Sequence, residues 1–238
     1  MRVNFIAFLI STIEKFLFFP KLCKILKYEP HLCRANSKRK LMILDIGAHV
    51  GESIYFYKKI FHNPVIHSFE PCPTTFKKLR NLSSADVHTH NYALAEKVGE
   101  SIFFVSKLSS TSTLILPNTD SKYHKYKAKI LKIDSNKMYR SITVKCTTVD
   151  EFCKQMEIVD LLKIDVEGSE LDVLLGASFS LQTGKIKVIQ FERHSNDLRK
   201  DNTNLIHNLL TSFNFVEFST IKHPFLDVYE LIYHQSNK

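Results

Sequence analysis

Acidic residues stand at the ends of four predicted strands: Asp45, Glu70, Asp165 with Glu167, and Glu192. In open α/β sheets, ligands bind beyond the carboxyl ends of the strands, near the point where strand order reverses. These side chains are therefore expected to converge on one crevice. Unpaired carboxylates near one another and near apolar strands repel and lose hydration, so stability alone does not favour such a cluster. Individual members have plainer uses, since Glu167 can cap a helix and Glu192 can make a surface ion pair. Asp45 can accept hydrogen bonds from a bound amine or from the amides of the turn that follows it.

The elements that must position these acids follow from the apolar pattern. Leu41-Met-Ile-Leu-Asp-Ile-Gly-Ala-His-Val-Gly51 is an unbroken apolar run that ends in a carboxylate and stops at a glycine. That pattern predicts a buried parallel strand turning into a helix. Gly47 permits a tight turn, and Gly51 lets the helix pack close to the strand. The spacing is G-x-x-x-G, which disfavours the pyrophosphate cradle of a nicotinamide dinucleotide site. A second strand, Val65 to Phe69, delivers Glu70 23 residues after Gly47, where a nucleotide-binding sheet places an acceptor for ribose hydroxyls.

Further strands are expected at Val87–Asn91, Ile142–Cys146, Val159–Asp165, Ile186–Phe191, Phe215–Phe218 and Val228–Tyr233, with an extended segment at Ser101–Val105. Helices fall between them, one opened by the capping box Thr148-Val-Asp-Glu151. The prediction is a doubly wound sheet of about seven strands, mostly parallel, with its last two antiparallel. His88 and His90 are expected to be solvated strand residues. Ser109 to Thr113 is expected to be a solvent-facing loop, and the lysine-rich stretch from 117 to 141 a mobile insertion near the substrate side.

The chain has 238 residues, 44% of them hydrophobic, enough for one sizeable core behind an N-terminal extension. Five cysteines without a C-x-x-C pair argue against a disulfide framework and a structural zinc site, so a cytoplasmic setting is expected. The net charge of +9 is concentrated in residues 1–40 and 121–145, each +7, whereas residues 146–238 carry −5. Phe5, Phe8, Leu9, Ile13, Phe16 and Leu17 recur at helical spacing beside lysines. This stripe is expected to pack on the domain, with weak peripheral membrane contact through residues 1–30 as the other reading. It is too short to span a bilayer, which needs about 20 apolar residues.

Several segments together resemble the FkbM-type family of S-adenosylmethionine-dependent methyltransferases. They are Leu44-Asp-Ile-Gly-Ala-His-Val-Gly51, Phe69-Glu-Pro-Cys-Pro73, Asn91-Tyr-Ala-Leu94 with Gly99-Glu100, Thr148-Val-Asp150 and Leu162-Lys-Ile-Asp-Val-Glu-Gly168. The order and spacing agree from about residue 41 to residue 192, and the Lys-Ile-Asp-Val-Glu-Gly segment is the most distinctive. The resemblance implies a Rossmann-like methyltransferase domain over residues 41–238, behind a helical extension over residues 1–40. It implies that Asp45, Gly47 and Gly51 surround the methionine part of S-adenosylmethionine and that Glu70 holds the ribose. His49, Pro71 and Asn91 join the cofactor site, and Asp165 stands beside the transferred methyl. His49 occupies a position where the family usually has asparagine; imidazole can still donate a hydrogen bond there.

Methyl transfer to a hydroxyl requires in-line placement and removal of a proton, for which Asp165, Glu192 and His194 are the candidate bases, in that order. No metal site is assigned, although Asp165 with Glu167 or Glu192 offers oxygen ligands to a divalent cation. The resemblance implies a small-molecule or glycan acceptor, that is, O-methylation of a sugar, glycolipid or natural product. Two other classes compete. A nicotinamide-dependent oxidoreductase lacks its glycine signature, and an RNA methyltransferase or nucleic-acid-binding protein would need more aromatics among the lysines than Tyr123, Tyr126 and Tyr139. No nucleic-acid partner is expected, and the sequence does not specify an oligomeric state.

Overall fold

The computed structural model describes residues 18–107, 111–116, 118, 125, 134, 138–194, 202–224 and 228–236. The main sheet is built from β1 (Met42–Ile46), β2 (Val65–Phe69), β3 (Val87–His90), β7 (Val159–Ile164), β8 (Ile186–His194), β9 (Phe215–Lys222) and β10 (Val228–Gln235). Their spatial order is β3-β2-β1-β7-β8-β10-β9. Strands β3 to β8 of this sheet run parallel, while β10 is antiparallel to both β8 and β9, as the short link between the last strands predicts. The chain winds outward from β1 to β3 and later returns to the other side of β1 as β7. The order therefore reverses between β1 and β7, and a crevice must open at their carboxyl ends.

Helices cover both faces. Between β1 and β3 lie α3 (Glu52–Ile60) and α4 (Pro73–Leu79), the latter running into a short 3-10 turn at Arg80–Leu82. Later in the chain come α5 (Val149–Phe152), α6 (Glu170–Leu175), α7 (Ser178–Gln182) and α8 (Thr203–Ser212). Thr148 Oγ1 accepts the Glu151 amide at 3.0 Å, so the predicted capping box opens α5. On one face Leu162, Ile164 and Phe191 of the sheet meet Val173, Leu174 and Leu210 of the helices. On the other, Ile43, Leu161 and Val188 meet Tyr57, Leu26 and Leu32.

The last two residues belong to the N-terminal segment, whose described part is α1 (Phe19–Tyr28) and α2 (Pro30–Asn36). Phe18, Leu22, Leu26 and Leu32 are buried on the sheet. The apolar stripe predicted over Phe5 to Leu17 lies outside the described residues.

Three expectations need correction. The strand expected at 142–146 does not join the main sheet: β6 (Tyr139–Thr147) pairs antiparallel with β5 (Gly99–Ser106), the expected extended segment, and with β4 (Ala93–Leu94) they form a separate three-stranded sheet. β6 starts at Tyr139, inside the stretch assigned to the insertion, because Ser106 and Val105 still offer pairing partners there. Most of residues 117–137 lie outside the described residues. Nor are the described residues of the hydroxyl cluster, Thr111 to Thr113, a wet loop, while 109 and 110 lie outside the described residues. Thr113 is buried and bridges Phe104 through two backbone hydrogen bonds of 2.8 and 3.1 Å, and Ser112 Oγ accepts the Ser106 amide at 3.0 Å. Last, His90 is not simply solvated: it stacks on Phe69 and its Nε2 lies 3.1 Å from His67 Nδ1. Burial lowers both imidazoles to a pKa of about 4, which keeps them neutral.

Candidate active site

A cavity of about 290 Å³ opens at the carboxyl ends of β1, β2, β7 and β8 and the amino end of the antiparallel β10. Its near wall is the turn after β1. The Gly47 and Ala48 amides both donate to the Phe69 carbonyl, at 3.1 and 2.9 Å, which ties the turn to the end of β2. Gly47 has a φ of +80°, and a Cβ there would lie 1.8 Å from the Asp165 carbonyl oxygen. The sequence needs glycine at this position because β1 and β7 meet with no room for a side chain. His49 follows, with Nδ1 3.3 Å from Glu52 Oε1; that hydrogen bond raises the imidazole pKa.

Gly47, His49, Glu70, Pro71, Asp165, Glu167 and Glu192 line the cavity, whereas Asp45, Gly51 and Asn91 do not. Asp45, expected at the cofactor, is fully buried under the floor of the cavity. It accepts hydrogen bonds from Ser53 Oγ and from Ser68 Oγ, the latter at 3.1 Å. Asn91 acts from outside by donating to the Glu70 and Pro71 carbonyls at 2.9 and 3.1 Å, which fixes the backbone that presents Glu70. Gly51, at φ +95°, permits the close seating of α3 against Leu79 and Leu82. The side chain of His194, at the end of β8, lies outside what is described.

The floor carries residues that the reading of motifs missed. In register across the sheet stand Ser68, Asp45, Lys163 and Gln190, one polar row through four strands whose preceding residues on this side, Ile66, Ile43, Leu161 and Val188, are apolar. Lys163 Nζ lies 3.2 Å from Asp45 Oδ1, close enough for an ion pair though not aligned as a hydrogen bond, and donates to Asp165 Oδ2 at 3.2 Å. Burial opposes its charge, but Asp165 and Asp45 outweigh that and hold its pKa well above the ordinary value. Gln190 accepts from Tyr57 Oη at 3.0 Å and donates to Glu230. A lone Lys or Gln inside an apolar strand was the available signal, because a buried polar side chain needs a partner.

Glu192 and Glu230 are direct cross-strand partners on β8 and β10. Burial, followed by the charges of Asp165 and Glu230, pushes Glu192 well above the usual carboxylate range. Burial also raises Glu230 and Glu70, each to about 7. Glu70 accepts the Cys72 amide at 2.8 Å through Oε1. Above the acids the wall turns apolar and aromatic, with Phe18, Phe19, Leu22, Phe56, Phe103 and Leu114.

The family profile named Methyltransferase FkbM domain matches residues 45–218. This chain belongs to that family. FkbM methyltransferases use S-adenosylmethionine as methyl donor. Methyltransferase sdnD of Sordaria araneosa is 27% identical over 161 residues, which cover 60% of this FkbM chain and 62% of that protein. Hexuronic acid methyltransferase AglP of Haloferax volcanii is 25% identical over 170 residues, covering 69% of this chain and 61% of its own. The FkbM chain thus spans about three fifths of the length of these curated relatives. Magnesium protoporphyrin IX methyltransferase from Synechocystis shares the fold, with a TM-score of 0.50 at 8% identity over 92% of this chain and 78% of that one.

The donor set fits the family's cofactor. Glu70 faces the cavity as an acceptor for hydroxyls, and Asp165 keeps a third of its side chain open, available to an ammonium group. Apolar Ile46, Phe69 and Leu94 beside Tyr92 offer flat or greasy surface to a base.

Proposed function

We propose that this FkbM chain transfers the methyl group of S-adenosylmethionine to a hydroxyl of a small acceptor, a sugar or a hydroxylated natural product. The observation that carries this reading is the pairing of half-buried Glu192 with buried Glu230 beside Asp165, beneath an aromatic wall, within the same cavity as Glu70. S-adenosylmethionine, when bound, supplies an electrophilic methyl group on a sulfonium. Glu70 and the Gly47 turn hold the ribose and methionine ends. Asp165, neutralised by Lys163, orients rather than abstracts. Glu192 in its ionised form takes the acceptor proton, its raised proton affinity making that form a stronger base than an ordinary carboxylate, and Glu230 can share that proton across the strand pair. The aromatic side chains give a hydroxylated ring an apolar surface to rest on and exclude water.

The hexuronic acid methyltransferase relative supports a sugar as the acceptor class. An acceptor screen with methyl-labelled S-adenosylmethionine against sugars, glycolipid extracts and hydroxylated natural products tests the reading. Product is expected from hydroxyl-bearing compounds and none from their O-blocked analogues. Calorimetry should show one equivalent of S-adenosylhomocysteine bound, and tighter binding of NAD would overturn the proposal. Glu192→Gln should lower the rate on the order of 10²-fold, with cofactor affinity within a few fold. A wild-type rate in that variant would move the base to Asp165 or His194.

A further inference from the structure

Away from the cavity, Glu29, His31 and His234 each offer one ligand-capable atom, and those atoms lie within 4.8 Å of one another. Glu29 stands at the corner where α1 ends and α2 begins. Its carboxylate is fully buried: Oε2 accepts the Leu32 amide at 2.7 Å and Oε1 faces His234 Nδ1 at 2.9 Å. His31 Nε2 donates to the Gln235 carbonyl at 2.8 Å, which fixes the ring and leaves Nδ1 with its lone pair in the neutral tautomer. A backbone carbonyl on the second ring nitrogen is the support that metal-bound imidazoles receive.

A buried carboxylate is stabilised by a positive partner, and a divalent metal ion supplies full charge where hydrogen bonds from the Leu32 amide and the His234 ring supply only partial charge. One carboxylate and two imidazoles suit zinc, whose ligands sit at about 2.0–2.2 Å and leave a fourth position for water. Tetrahedral ligands at that distance are roughly 3.3 Å apart, a spacing these side chains reach by small rotations.

We propose that Glu29, His31 and His234 bind one zinc-like divalent ion that fastens the α1–α2 corner to β10. No ligand spacing in the sequence announces it, because His234 is 203 positions beyond His31. The site is separate from the reaction cavity, none of its three residues lining that space. It does bear on the cavity indirectly, because α1 carries Phe19 and Leu22 of the aromatic wall.

The test uses the full chain, stripped with a chelator and then titrated with Co²⁺ and Zn²⁺. One equivalent should bind, and cobalt should show visible bands of a four- or five-coordinate N/O site without a thiolate charge-transfer band. A hundredfold excess of free zinc over its Kd should raise Tm by roughly 5–10 °C. His31→Gln and His234→Gln should each abolish the cobalt bands and the Tm shift while retaining the wild-type near-ultraviolet circular dichroism. Should one variant misfold, the other decides, since the two side chains come from different elements. Failure of the wild-type chain to bind an ion, equal binding in a folded variant, or a thiolate band that assigns the ion to cysteines would each overturn the proposal.

Discussion

Glu230 is a buried carboxylate with a hydrogen bond from Gln190, and burial has pushed its pKa to about 7 from an ordinary value of 4.5. The folded state therefore holds this proton more tightly than the unfolded chain does. The resulting stability is fully present below pH 4.5, falls as pH rises through 7, and is flat above. A difference of that size is worth on the order of 3 kcal/mol. Glu230→Gln keeps an oxygen for Gln190 and removes the titration. It should have a higher Tm than the parent at pH 8 and about the same Tm near pH 4.5, measured by thermal melts across that range. An unchanged or lower Tm at pH 8 would show that the carboxylate is solvated. Glu70 has the same upward shift but faces the cavity. Protonation turns it from an acceptor into a partial donor, so S-adenosylhomocysteine should bind more weakly as pH falls from 8 to 6. Glu70→Gln should flatten that dependence and weaken binding at pH 8, since a charge-assisted hydrogen bond contributes roughly 1.5–3 kcal/mol. Calorimetry at several pH values checks this, and parallel pH curves for the two proteins would remove Glu70 from the ligand.

The turn after β1 shows at the scale of elements how the site depends on backbone contact. Gly47→Ala would place a methyl group 1.8 Å from the Asp165 carbonyl at a φ of +80°, so β1 and β7 must separate or the turn must be rebuilt. Strain and overpacking together predict a loss of roughly 2–5 kcal/mol, read from denaturant melts, along with loss of cofactor binding. A variant with parental stability would mean that the two strands are less close than they stand here. This corner was legible in the sequence because an apolar run, a carboxylate and two spaced glycines permit few backbone solutions. The ends of β2 and β7 were legible for the same reason. The floor was harder to read. Lys163, Gln190 and Glu230 lie in three strands, and only the register between those strands brings them together. The small sheet was missed because β5 and β6 alternate like any half-buried strand, and nothing local says which sheet a strand will join.

At the scale of the whole molecule, the N-terminal helices are part of the core. Leu22, Leu26 and Leu32 are buried against the sheet, and Phe18 stacks on His223 with ring centroids 3.7 Å apart. Each such side chain contributes roughly 1.5–3 kcal/mol on burial, so four of them approach the entire net stability of a typical domain, about 5–15 kcal/mol. A chain beginning at Ser37 would lose them all, together with Glu29 and its contact to His234, and would bare Leu41, Ile43 and Tyr57 on the sheet and α3. It should lose near-ultraviolet circular dichroism, bind hydrophobic dyes and fail to bind S-adenosylhomocysteine. A chain beginning at Phe18 keeps every one of these contacts and should melt cooperatively near the parental temperature. That second chain is thus the proper comparison for the apolar, lysine-flanked stripe of the first 17 residues. If the stripe serves as a membrane contact, the full chain should sediment with anionic vesicles at low salt and the chain from Phe18 should not, with the difference vanishing as salt screens the lysines. Equal sedimentation would assign the stripe to packing, and cooperative folding of the chain from Ser37 with parental cofactor affinity would refute the central role given to α1 and α2.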